Sequence, residues 1–195
     1  MQFATNSLTK VRRARLSGLV AQKQLKNALF SSLPATKTHS ERMLIPCSPA
    51  QVYAVVKDVT QYKEFVPWCT DSRVLDVDGE ATSDGETMRA ELEVGFGIFK
   101  ERYVSLVTLD APRSIIVSSM ETSVLDFLET RWHFLPKGAD PNQCWVSFQI
   151  EFRFKSELHD SVSSMFMHQV VENMGKAFKD RCAQVHGLST KGSAS

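Results

Sequence analysis

From Val146 to Phe154 every second residue is large and apolar (Val146, Phe148, Ile150, Phe152, Phe154), and the residues between, Ser147, Gln149, Glu151 and Arg153, are polar. Successive side chains of a strand point to opposite faces, so this segment buries one face and leaves the other to water. Met88-Ala90-Leu92-Val94-Phe96, interleaved with Arg89, Glu91 and Glu93, repeats the pattern, as does Leu128-Thr130-Trp132-Phe134 against Glu129, Arg131 and His133. Weaker strands are predicted near 73–77, 101–109 and 115–120, with turns at Asp78-Gly79, Asp84-Gly85, Ala111-Pro112 and Lys137-Gly138. Strands this close, with no helices between them, make an antiparallel meander.

The period then changes. Leu158, Val162, Met165, Phe166, Val170, Met174, Ala177, Phe178, Cys182 and Val185 recur at three and four, which predicts one amphipathic helix of about 28 residues. Ser156 is the expected N-cap and Gly187 the expected C′ stop. Ahead of the meander, a strand beginning near Arg42 leads to Ser48-Pro49-Ala50-Gln51, which reads as N-cap, first helical proline and capping-box glutamine. Thr60 is expected to cap a second short helix through Tyr62 and Phe65, closed by Pro67. The class is therefore α+β: a curved antiparallel sheet of about six to seven strands around a long C-terminal helix, an arrangement that buries every apolar face at once.

Charge divides the chain. Residues 1–40 hold seven basic side chains and no acidic one, so the rest carries 16 basic against 22 acidic residues, a net −6. An acid-free, arginine-bearing N-terminus with Leu8, Val11, Leu19 and Val20 at loosely helical spacing reads as a mitochondrial transit peptide, the alternative being a basic arm for nucleic acid. The expected organisation is a leader over 1–40, a folded domain over 41–187 and a flexible tail over 188–195. The longest uncharged stretch, Met43–Val56, has 14 residues and includes two prolines, too short and too polar for a membrane-spanning helix. Cys47, Cys69, Cys144 and Cys182 are widely spaced with no C-x-x-C, and read as buried free thiols of a reducing compartment.

The element order is similar to the helix-grip fold of the START-like superfamily. Tyr62-x-x-Phe65-Val66-Pro67-Trp68-Cys69, with Leu92-Glu93-Val94-Gly95-Phe96, Glu101-Arg102-Tyr103 and Leu128-Glu129-x-x-Trp132-x-Phe134, narrows this. Together these resemble the mitochondrial coenzyme Q-binding protein family over about residues 41–186. The resemblance implies a non-enzymatic protein that binds ubiquinone or a late precursor as ligand, with no cofactor or metal. It further implies a peripheral place on the matrix side of the mitochondrial inner membrane, serving respiratory-chain and quinone-biosynthesis proteins; the acidic body argues for no nucleic acid partner.

Within that frame the expected ligand contacts are Tyr62, Phe65, Val66, Pro67 and Trp68 at the mouth of a cavity. Leu92, Val94, Phe96, Trp132, Phe148 and Phe152 are expected on the sheet, and Met165 and Phe166 on the helix. Each sheet and helix residue reads first as plain core, and Phe65 to Trp68 reads as well as a loop packed on its own domain. Gly95 to Lys100 is either a hairpin whose phenylalanines fold inward or a tip that meets the membrane through Ile98, Phe99, Lys100 and the nearby Lys63. His168 and Glu172 are an i, i+4 pair near His159, but no third and fourth ligand converge, so a solvated pair is expected rather than a metal site. Two other functions compete. A cyclase or hydrolase needs a polar acid or base inside the cavity, where the inward rows offer chiefly Thr130. A ribosome-associated module needs a basic surface, whereas 71–93 holds eight acidic residues against Arg73 and Arg89.

Overall fold

The computed structural model of the chain describes residues 35–82, 85–96, 99–119, 122, 124–155 and 172–187. Seven strands form one antiparallel sheet: β1 (Lys37–Ile45), β2 (Cys69–Thr82), β3 (Gly85–Phe96), β4 (Phe99–Asp110), β5 (Ser114–Ser119), β6 (Leu125–Lys137) and β7 (Asp140–Phe154). Helices α1 (Pro49–Lys57) and α2 (Tyr62–Phe65) separate β1 from β2, and α3 (Glu172–Val185) follows the sheet. The spatial order is β1-β7-β6-β5-β4-β3-β2. Strands β2 to β7 are thus a plain meander, while β1 and β2, neighbours in sequence, lie at opposite edges. The segment between them must cross the whole sheet, and it does so as helix.

Alternation sets the core. From Cys144 to Phe154 buried and part-buried residues alternate without a break, and Phe148, Ile150 and Phe152 are each buried to about 1% exposure or less. Leu128, Trp132 and Phe134 of β6 and Met88, Ala90 and Leu92 of β3 continue that face. It is covered by Val52, Tyr53 and Val56 of α1 and by Phe178 and Cys182 of α3. The expected cap of α1 is present: Gln51 N–H donates to Ser48 Oγ at 3.3 Å, and Ser48 N–H donates to Gln51 Oε1 at 2.8 Å.

Three expectations are corrected. The sheet takes in residues 37–40, assigned above to the leader, because Lys37 to Ser40 pair in register with Phe152 to Gln149. Thr60 does not cap α2; it sits inside a 3₁₀ turn, Val59–Gln61, and its hydroxyl donates to the Asp58 carboxylate. Asp78-Gly79 does not end a strand: β2 runs on to Thr82 with a register shift after Asp78, the irregularity a strand glycine accommodates. The C-terminal helix is described over Glu172–Val185 and ends at Gly187, which has φ +65° as a C′ residue requires. Residues 156–171, with Ser156, His159, Met165, Phe166 and His168, lie outside the described residues, as do residues 1–34 and 188–195.

All four cysteines are free and buried. The Cys47 and Cys182 thiols, far apart in sequence, interact with each other in the core. Among the described residues no helix is long and apolar enough to cross a membrane, and no group of His, Cys, Asp and Glu could hold a metal ion.

Candidate ligand-binding site

Between the concave face of the sheet and the helices lies a cavity of about 100 Å³. Leu92 and Val94 of β3, Tyr103 and Ser105 of β4, Val117 of β5, Leu128, Thr130 and Trp132 of β6 and Phe148 and Ile150 of β7 form its sheet side. Met174 and Phe178 of α3 form the opposite wall, and Tyr62, Val66, Pro67 and Cys69 close one end. Five rings organise that end around Phe178. Its ring lies 4.7 Å from Trp132, 5.0 Å from Phe65 and 5.3 Å from Tyr62, the last two edge-to-face. Trp132 in turn lies 4.4 Å from Phe148. Edge-to-face and tilted pairs favour fixed ring orientations, so this wall is shaped as well as apolar.

Pro67 also lines a second, open space of about 950 Å³, between the 65–68 turn and the exposed side of α3, with Phe65, Trp68, Ala177 and Arg181. The turn that divides the two spaces has a Val66 carbonyl to Cys69 N–H bond of 3.1 Å, Pro67 at its second position and Trp68 at its third with φ 60°. That is the geometry of a type II turn, which puts glycine at the third position in most proteins. Arg181 braces the turn from α3, its guanidinium 5.4 Å from the Phe65 ring and hydrogen-bonded to Gln61.

The cavity's polar groups are few. The Tyr62 hydroxyl donates to the Val56 carbonyl, and burial pushes its phenol, like that of Tyr103, far above the ordinary value. The Cys69 thiol donates to the Asp71 carbonyl and is pushed up to about 11 by burial, so it stays neutral and a poor nucleophile. Ser105 is fully buried, and its Oγ has no hydrogen-bond partner among the described residues.

Of the expected ligand contacts, Tyr62, Val66, Pro67, Leu92, Val94, Trp132 and Phe148 meet at the cavity. Phe65 and Trp68 face the outer groove. Phe152 is not among the lining residues; its ring packs edge-to-face on Phe154 at 5.7 Å, deeper in the core. Phe96 is described only as backbone of β3, and Met165 and Phe166 lie outside the described residues. Phe178, Tyr103 and Ser105 were missed as site residues. Phe178 was legible in the helical stripe, four residues after Met174, and Tyr103 and Ser105 in the alternation of β4.

Of the expected membrane contacts, Ile98 lies outside the described residues and Phe99 is described only as backbone. Lys63 and Lys100 are exposed and belong to one charged chain on the outer face. Lys63 pairs with Asp71 at 3.9 Å, Asp71 with Arg102 at 3.5 Å, Arg102 with Glu93 at 2.6 Å and Glu93 with Lys100 at 2.9 Å. Lys100, Thr70 and Arg102 hold the Glu93 carboxylate down at about 2.

Residues 45–179 match the family described as polyketide cyclase / dehydrase and lipid transport. The coenzyme Q-binding protein COQ10 homolog B, mitochondrial, of Xenopus laevis is 37% identical over 150 residues, 76% of this chain but 59% of the frog protein. The yeast Saccharomyces cerevisiae coenzyme Q-binding protein COQ10, mitochondrial, is 34% identical over 72% of this chain and 68% of its own length. The ribosome association toxin RatA of Pseudomonas aeruginosa is 30% identical over 77% of this chain and 99% of its own. In solved structures, the 18 kDa protein CC1736 of Caulobacter crescentus superposes with a TM-score of 0.60 at 31% identity, over 77% of this chain and 99% of that one. The Zhui aromatase/cyclase of Streptomyces, at 14% identity with a TM-score of 0.63 over 82% of this chain and 100% of that one, shares the fold. By sequence along most of its length and by fold, the chain is a member of the mitochondrial coenzyme Q-binding protein family, within the wider polyketide cyclase / dehydrase and lipid transport family.

Proposed function

We propose that the protein binds ubiquinone or a late ubiquinone precursor, without transforming it, and delivers it to respiratory-chain and quinone-biosynthesis proteins from the matrix side of the mitochondrial inner membrane. The observation that carries this reading is the chemistry of the cavity. Its described lining is aromatic and aliphatic, with hydroxyls and a neutral thiol and no carboxylate, imidazole, ammonium or guanidinium. An apolar site with few oriented polar groups suits a lipid with a polar ring, whereas cyclase or hydrolase chemistry needs a group that exchanges protons near neutral pH. The names of the frog and yeast relatives support the ligand and the organelle.

The relative named for ribosome association raises the RNA-facing alternative. Against it, arginines on the outer face of β2 to β4 are already bound: Arg73 to Glu91, Arg89 to Asp76, and Arg102 to Glu91 and Glu93. Such pairs leave little positive field for phosphates. Extraction of the purified protein with organic solvent, followed by mass spectrometry of the released lipids, tests the proposal. Ubiquinone or a prenylated precursor in near-stoichiometric amount is the expected result; an extract holding only bulk phospholipid would refute it.

A further inference from the structure

Ser105 is the one polar residue at the cavity that is fully buried with its side-chain oxygen unpartnered among the described residues. A hydroxyl taken out of water without a partner is destabilising, and a ligand oxygen that meets it removes that penalty. The hydroxyl stands opposite Ala90 of β3, a side chain too small to cover it and itself fully buried. Tyr103, two residues earlier on the same face of β4, lines the same space with a phenol that burial keeps protonated. The cavity itself, about 100 Å³, is on the scale of a single ring; an apolar cavity of about 150 Å³ takes one benzene, and a polyprenyl chain needs far more room. The open groove beyond Pro67 offers that room.

We propose that the quinone enters head first, that Ser105 Oγ donates a hydrogen bond to one of its ring oxygens, and that the isoprenoid tail leaves past Pro67 into the groove beside Trp68. This rests on the quinone reading above and adds an orientation and a donor to it. Ser105 sets the preference for a ring that carries oxygen acceptors over a hydrocarbon of the same shape.

The test uses the full folded protein and two probes, a short-tailed ubiquinone and its tail-less dimethoxy-methylbenzoquinone head. Ser105→Ala removes a hydroxyl that has no hydrogen-bond partner among the described residues, so the melting temperature should hold or rise. Affinity for both probes should fall by the same factor, about 3- to 10-fold for one neutral hydrogen bond. Ser105→Cys, near in size but a much weaker donor, should lose a similar factor and carries the comparison if the alanine variant folds poorly. Infrared spectra of carbonyl-labelled quinone bound to wild type should show one carbonyl band moved to lower frequency, and Ser105→Ala should abolish that shift. Tight binding by wild type with an unshifted carbonyl, or unchanged affinity in both variants, overturns the Ser105 anchor while the quinone reading stands. Failure of wild type to bind either probe overturns the quinone reading and the anchor with it.

Discussion

A tryptophan at φ 60° costs roughly 1 to 2 kcal/mol against a relaxed backbone, and Trp68 occupies that conformation where glycine would not be strained. Strain of this kind persists where a side chain is needed at a fixed place. Trp68→Gly should therefore stay within about 1 kcal/mol of wild-type stability, since relief of the turn offsets the lost contacts, yet it should release bound quinone faster. Phe148→Ala should cost about 3 to 5 kcal/mol, as large truncations in a packed core do, because Phe148 is 1% exposed and packed against Trp132. Equal destabilisation of the two variants in urea melts would remove Trp68 from the ligand path. The cysteines give a second residue-level test. Burial pushes Cys182 up to about 12 and Cys144 to about 11, from an ordinary value of 9.0. The fold thus favours the neutral thiol, a contribution fully present below pH 9 and lost as pH rises through the folded values. Stability should decline in alkali over that window, and thiol-reactive dyes at pH 8 should label unfolded protein and spare the native one.

At the scale of the element, α3 is seated on β1 through a glycine. A Cβ on Gly175 would stand 2.4 Å from Glu41 Oε2 and 2.6 Å from Met43 Cε, both the far ends of flexible side chains. Gly175→Ala gains about 1 kcal/mol of helix propensity and should leave the melting temperature nearly unchanged, whereas Gly175→Leu should lower it and weaken quinone retention by lifting Met174 and Phe178 away from the sheet. The β3–β4 hairpin has its own pH signature. Glu93, held at about 2 against an ordinary 4.5, contributes stability that is present above 4.5 and lost as pH falls through 2. Glu93→Gln should blunt acid unfolding in that window, followed by circular dichroism. The strands and α1 were legible because each carries a local signal: alternation in Val146 to Phe154, a capping box in Ser48 to Gln51. What was not legible depends on backbone angles and on partners far along the chain. The positive φ of Trp68 accompanies a ring in the outer groove, whereas sequence alone placed it at the cavity mouth. The alternation of β4 puts Ser105 on the inward face, but that its hydroxyl stands beside Ala90, on another strand, shows only in the register.

At the scale of the molecule, the proposed delivery of quinone would require an acidic body to approach an anionic membrane. Lys63 and Lys100 sit at one end of the sheet but are engaged with Asp71 and Glu93, so their field is partly neutralised. Lys100→Glu should therefore slow quinone transfer between anionic vesicles only moderately, and the difference should shrink with salt as screening limits surface charge to about 8 Å at physiological ionic strength. Replacing Ile98 and Phe99 by Ser should slow transfer to neutral and anionic vesicles alike while leaving the amount bound unchanged; stopped-flow transfer distinguishes the two. The sequence predicts removal of the acid-free N-terminus between Phe30 and Ser40, and the start of β1 at Lys37 narrows the expected cut to the residues before it, which N-terminal sequencing of protein from mitochondria would read. The three indoles of the chain occupy three different environments: Trp132 in the cavity wall, Trp68 in the outer groove and Trp145 on the outer face, 4.6 Å beneath the Arg42 guanidinium. Quinone rings quench indole emission at short range, so the molecule carries its own optical gauge. Head-first entry would darken Trp68 as the ring passes and then Trp132 as it seats, leaving Trp145 bright as an internal reference, and single-tryptophan variants would time the passage of the ring without any added dye.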